Sequence, residues 1–161
     1  MDKKEMEDKI KAMEEELKQL KEELNKEEKG YFKPRANKEY YCVNYASVFK
    51  YDWYDTNFDN ICYNMANCFE TKEEAEKVLF EQTLLRKIRR FRDTYDEGVD
   101  WNDENYGKYF IHYDYHFKKV VINYAYTYRS INEIYFKSRE VAEMCLEEFR
   151  DELEKYFAEN Y

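Results

Sequence analysis

Along the first 29 residues, apolar side chains fall at Met6, Ile10, Met13, Leu17, Leu20 and Leu24, in alternating steps of four and three through a background of Glu and Lys. With Ile10, Leu17 and Leu24 at a positions and Met6, Met13 and Leu20 at d positions, this is a heptad seam, which predicts a helix that buries one stripe against a partner. In a parallel pair each g residue faces the e residue of the next heptad on the other chain. Lys9 with Glu14 and Glu16 with Lys21 then attract, and only Glu23 with Glu28 repels. A lone helix of three heptads is marginal in water, so the seam implies self-association, as a dimer or a trimer; the competing reading is an exposed helix folded back on its own domain. Gly30 and Pro34 end the helix and make residues 30–37 a linker.

From Lys38 the period changes to two. Tyr41, Val43 and Tyr45 alternate with Cys42, Asn44 and Ala46, and residues 40–54 predict a hairpin turning near Ser47. A polar loop, Asp55 to Asn60, leads to a third short strand ending at Phe69. Thr71, with Glu74 three residues on, forms a capping box that opens a helix over about Lys72 to Arg92, with Ala75, Val78, Leu79, Leu85, Ile88 and Phe91 on one side. A second strand pair follows. Tyr109, Ile111, Tyr113 and Tyr115 alternate with Phe110, His112 and Asp114. After a turn over His116 to Lys119, Val120, Ile122, Tyr124, Tyr126 and Tyr128 share one face, and Val121, Asn123, Ala125 and Thr127 the other. Ile134 to Phe136 is a further short strand. Ser138 then caps a helix running to about Phe157, with Ala142, Cys145, Phe149, Leu153 and Tyr156 buried and Val141 where a capping box would need Glu.

The two strand-to-helix junctions share a gapless pattern, F-x-[T/S]-[K/R]-E-x-A-E-x-x-L-x-E, beginning at Phe69 and at Phe136, 67 residues apart. The predicted fold is therefore α+β. Two β-meander-plus-helix repeats, about 40–92 and 108–157, form antiparallel sheet packed by two helices within a domain spanning 38–161, and the coiled-coil helix of residues 1–29 precedes them.

Composition narrows the function classes. Aromatic residues make up 19% of the chain, with 18 Tyr and 11 Phe, so a half-buried sheet can still present hydroxyls. A net charge of -9 argues against coating nucleic-acid phosphates and favours a cationic protein partner or self-association. Cys42, Cys62, Cys68 and Cys145 include no CxxC pair and read as buried free thiols in a reducing cytosol. Neither a membrane-length apolar run nor a signal-peptide core is present, so a cytoplasmic location, without a membrane partner, is expected.

Four clusters could carry chemistry. His112, Asp114 and His116 have the even spacing of a metal site on one strand face, but the turn predicted at His116 would take it off that face. The loop from Asp93 to Asn105 holds Asp96, Glu97, Asp100, Asp103 and Glu104. It is not an EF-hand, because Asn105 stands at the required glycine and Ile111 at the required terminal Glu. Arg86, Lys87, Arg89, Arg90 and Arg92 end the first long helix. They either offset its dipole and pair with the acidic loop or, with nearby Tyr rings, form a nucleic-acid patch. The last helix carries Glu140, Glu143, Glu147, Glu148, Asp151, Glu152, Glu154 and Glu159 against Arg139, Arg150 and Lys155. Its carboxylates are either a solvated face or an imitation of nucleic-acid phosphates offered to a cationic groove. No Ser-His-Asp context, glycine-rich phosphate loop or HExxH motif is present, and the chain has only three glycines, so neither enzymatic activity nor a cofactor is expected.

Residues 67–76 (NCFETKEEAE), Asp100-Trp101-Asn102-Asp103 and Ile134-Tyr135-Phe136-Lys137-Ser138 resemble a family of small uncharacterised proteins of phages and prophages of low-GC Gram-positive bacteria. The resemblance covers about residues 40–157; the heptad N-terminus departs from the shorter arms of that family. The resemblance implies a phage accessory protein, a class that often inhibits host machinery, including CRISPR effectors. The expected function is thus non-catalytic binding of a host defence complex in the bacterial cytoplasm through Asp96, Glu97, Asp100, Asp103, Glu104, Glu147, Glu148, Asp151 and Glu152. The alternatives are direct nucleic-acid binding through Arg86, Lys87, Arg89, Arg90 and Arg92, and a structural role in the virion.

Overall fold

The structure, a computed structural model, describes residues 32–131 and 133–159, together with residues 6, 9–11, 13–18 and 20 near the N-terminus. It is an α+β protein whose strands form two antiparallel sheets, and the chain divides into two compact units, Met1–Leu79 and Phe80–Tyr161. No helix among the described residues is long and apolar enough to cross a membrane.

In the first unit, the described residues up to Leu20 are helical. Met6, Ile10, Met13, Leu17 and Leu20 are 47–62% exposed, so this apolar stripe is left open by the described residues. Leu24, the third a position, and the pairs involving Lys21, Glu23 and Glu28 lie outside the described residues, as does Gly30. The segment read as a linker is folded at its far end. Pro34 is buried, Asn37 takes a left-handed φ of 58°, and the N–H groups of Asn37 and Trp53 donate to the carbonyls of Trp53 and Lys38, extending the following hairpin. That hairpin pairs β1 (Glu39–Asn44) with β2 (Ser47–Asp52), turning at Tyr45 and Ala46.

The third strand expected before Phe69 is largely a helix, α1 (Asn57–Asn64). Its start is a capping box in which the Thr56 side chain accepts from the Asp59 N–H and the Asp59 carboxylate accepts from the Thr56 N–H, so the polar loop predicted at Asp55 to Asn60 is the first turn of a helix. Only Phe69 pairs as expected, in a bridge to Tyr41 with both N–H···O distances 2.9 Å. Because α1 uses the residues that would have lengthened this pairing, the sheet of this unit stops at two strands. The core of the unit is Tyr40, Cys42, Trp53, Cys62 and Cys68. The capping box at Thr71 and Glu74 is made in both directions and starts α2 (Lys72–Tyr95), one turn longer than expected.

The second unit contains β3 (Lys108–Asp114), β4 (Lys119–Ala125) and β5 (Tyr135–Phe136), ordered β4-β3-β5. Phe136 pairs with Tyr109 of the hairpin's first strand, as Phe69 pairs with Tyr41 of the other hairpin's first strand. Alternation along the strands sorts side chains to two faces. On one face Val120, Ile111, Ile122 and Phe136 join a core with Leu84 and Ile88 of α2 and with residues of two further helices, α3 (Arg139–Glu148) and α4 (Arg150–Glu159). On the other, Phe110, Ala125 and Tyr135 lie under Val99 and Trp101 of the loop after α2. Tyr126 and Tyr128, expected to continue the β4 face, lie beyond its end and are exposed.

The helix expected from Ser138 to about Phe157 is two helices. Ser138 caps α3 by accepting the Val141 N–H at 3.2 Å, and α3 ends at Phe149, whose N–H reaches the Cys145 carbonyl. Phe149 packs edge-on against Phe91 at 5.8 Å, and Asp151 and Glu152 occupy the first turn of α4, where carboxylates complement the exposed N–H groups. Ala142, Cys145 and Leu153 are buried and Phe149 and Tyr156 half-buried, as the periodicity predicts. Leu84, left off the expected stripe of α2, is 2% exposed, whereas Leu85 is half-buried.

Candidate functional site

The loop after α2 folds around its own carboxylates. Asp96 Oδ2 accepts the N–H groups of Lys137 at 2.7 Å and Ser138 at 3.4 Å, and its Oδ1 accepts the Gly98 N–H at 3.1 Å. Glu97 forms a 2.5 Å ion pair with Lys137, which holds its carboxyl below the ordinary range. Asp100 and Asp103 each accept an N–H two residues on, from Asn102 and Asn105, and so build turns. Of the expected acidic binding residues in this loop, Asp96, Asp100 and Asp103 are thus engaged in its architecture, and Glu104 is exposed with no hydrogen bond or ion pair to the described residues.

Lys108 and Trp101, which sequence reasoning did not single out, anchor the loop. Lys108 is 2% exposed at the start of β3; its ammonium donates to the Asp103 carbonyl and lies 5.9 Å from the Trp101 ring centroid. The only signal for it was the odd cation at the head of an aromatic strand. Arg129 lies 5.5 Å from the same ring, and Tyr135 meets that ring edge-on at 4.9 Å while donating its O–H to Glu133. An open cleft of about 480 Å³ runs here, lined by Arg92, Asp96, Trp101, Arg129, Glu133 and Tyr135 among others.

The carboxylates of α3 and α4 divide into two groups. Glu147 pairs with Arg150 at 2.7 Å and Glu152 with Lys87 at 2.6 Å. Glu148, Asp151 and Glu154 are exposed and make no hydrogen bond or ion pair with the described residues. The basic cluster divides the same way. Arg86 donates to Gln82, Lys87 is held by Glu152 and Arg92 by Asp93, which leaves Arg89 and Arg90 exposed without an ion pair. The expectation that this cluster pairs with the adjacent acidic loop is met only by Arg92.

His112, Asp114 and His116 do not converge. Asp114 Oδ1 accepts the N–H groups of His116 and Phe117, building the hairpin turn, and His116 is exposed in that turn. Those two N–H bonds hold the Asp114 carboxyl below its ordinary value. Among the described residues, no group of three or more His, Cys, Asp or Glu side chains is arranged to hold a metal.

The four cysteines are buried and free. Burial pushes the thiols of Cys42, Cys68 and Cys145 up to about 12. Asp59, 3% exposed, is the other buried acid: burial alone would raise its pKa, but hydrogen bonds from Tyr40, Thr56 and Tyr54 outweigh that and hold it low. Its signal was Thr56-x-x-Asp59, a capping box with Asp in place of Glu.

No protein-family model, curated protein or solved structure matches the chain.

Proposed function

We propose that this chain is a non-catalytic, phage-type binding protein, self-associated through its N-terminal helix, that engages a cationic host protein through carboxylates and tyrosines, with a nucleic-acid-handling defence complex such as a CRISPR effector as the target class. The observation that carries the reading is the set of exposed carboxylates Glu148, Asp151 and Glu154, which form no ion pair with the described residues, while neighbouring Glu147 and Glu152 do. Unanswered surface charge costs little in water and accelerates encounter with a basic partner. Buried ionisable groups among the described residues have structural explanations: Asp59 closes a capping box, Lys108 ties down a loop, and burial holds the thiols of Cys42, Cys68 and Cys145 protonated. This supports binding over catalysis. The exposed stripe from Met6 to Leu20 supports self-association.

The test is capture of purified host nucleic-acid-handling complexes by the full chain, with DNA as competitor. The proposal expects capture at low salt, displacement by DNA, and loss in the E148K/D151K/E154K variant. No capture of any such complex at low salt would overturn it. Arg89 and Arg90, exposed and unpaired, favour a second reading, direct nucleic-acid binding. It expects a salt-sensitive mobility shift that R89E/R90E abolishes, and no shift at low salt dismisses it.

A further inference from the structure

The first unit contains two thiols in direct contact. Cys42 Sγ on β1 and Cys62 Sγ on α1 lie 3.3 Å apart, close enough for one S–H to point at the other sulfur. The residues are 1% and 4% exposed. Asn67 fixes one side of the pair: its side-chain amide donates to the Val43 carbonyl at 2.8 Å and to Cys42 Sγ at 3.2 Å, and its oxygen accepts the Val43 N–H at 3.0 Å. The sulfur is therefore clamped to the strand that carries it. Cys68 is buried in the same cluster without a hydrogen bond to either sulfur, and Cys145 lies in the core of the other unit.

We propose that Cys42 and Cys62 are a peroxide-oxidisable dithiol that closes to an intramolecular disulfide linking β1 to α1. Hydrogen peroxide is close to water in size, so brief opening of the packing admits it where a bulky disulfide oxidant is excluded. One thiolate attacks peroxide: an S–O bond forms, the O–O bond breaks, and the departing hydroxide takes the thiol proton to leave as water. The sulfenic acid so formed has the second sulfur beside it. That sulfur attacks, the S–S bond forms, the S–O bond breaks, and a second water leaves with the second proton. In balance, two thiols are oxidised and one peroxide is reduced to two waters. Proximity makes the second step faster than further oxidation of the sulfenic acid. Burial keeps Cys42 protonated at neutral pH, so closure is slow and its rate rises with pH through the thiolate fraction.

The experiment treats the folded full chain with hydrogen peroxide at pH 7 and pH 9, alkylates remaining thiols after denaturation, and maps fragments by mass spectrometry. Cleavage at Met65 separates Cys62 from Cys68. The expected result is a linked Cys42–Cys62 fragment, reversed by dithiothreitol and formed faster at pH 9, with Cys68 and Cys145 alkylated. The C68S variant keeps this link. C62S loses it, and a sulfenic-acid probe then labels Cys42. Because the wild-type map stands alone, a variant that fails to fold does not weaken the test. Full alkylation of Cys42 and Cys62 after peroxide, a link through Cys68, or direct passage to sulfinic acid would each overturn the proposal.

Discussion

Tyr40 donates its phenolic O–H to Asp59 Oδ1 at 2.7 Å, so a strand and a helix of the first unit meet on one buried carboxylate. The same carboxylate accepts the N–H groups of Tyr54 and Thr56, and its hydrogen-bonding capacity is largely filled. Replacing Tyr40 by Phe leaves the charge in place and removes one donor. The expected loss is about 1.5–3 kcal/mol, the range for a hydrogen bond to a charged group, read by chemical denaturation of the first unit.

Asp59 also sets an acid limit. Its carboxyl is held below its ordinary value when folded, so its contribution to stability is fully present above the unfolded value of about 4 and is lost as pH falls through the folded one. The two tryptophans lie in different units, Trp53 in the first and Trp101 in the second. In a W101F background, Trp53 fluorescence therefore follows the first unit alone. Its denaturation midpoint should fall as the pH drops below about 4, and D59N should start lower and flatten the dependence.

Phe136 is fully buried at the pairing of β5 with β3. Truncation to Ala should cost about 3–5 kcal/mol, the range for large-to-small changes of a buried aromatic ring. A loss below about 1 kcal/mol would contradict the packing described.

Lys108 offers a test of the loop. The K108M variant keeps the aliphatic stem and removes the donor to the Asp103 carbonyl, leaving that acceptor unmet. The expected cost is about 1–3 kcal/mol. Hydrogen exchange should rise in residues 96–107 while β4 stays protected.

The stripe from Met6 to Leu20 predicts oligomeric state. Light scattering should give a dimer or trimer for the full chain, and Ile10→Glu with Leu17→Glu should give a monomer. A concentration-independent monomer from the unaltered chain would remove self-association from the proposed function.

Strands and helix starts were legible in the sequence wherever a local rule governs them. Thr71 and Ser138 cap the helices they announce, because a hydroxyl accepting an N–H two or three residues ahead is a short-range event. Alternation along β3 separated Ile111 from Phe110, and the two side chains enter different cores. The misses have local and non-local causes. Residues 57–64 have aromatic and polar content compatible with strand or helix; the local signal for α1 was the Thr56–Asp59 capping box, and what the sequence did not show is that Asp59 also meets Tyr40, 19 residues earlier. The architecture of the acidic loop was not legible in the sequence: charge counts record how many carboxylates a segment carries, and not that Asp96 is used by the backbone at Lys137, 41 residues away.

The interruption at Phe149 changes the shape in which the last helical region offers its charge. Glu140, Glu143, Glu147 and Glu148 belong to α3, and Asp151, Glu152 and Glu154 to α4. A single straight helix would carry carboxylates along one unbroken axis, like the edge of a duplex. Two helices of 10 residues each present a pair of short electronegative segments with a joint between them. For the partner of the proposed function, the complementary surface would be two separate basic footholds, and moving one relative to the other should alter affinity even when every cation is kept.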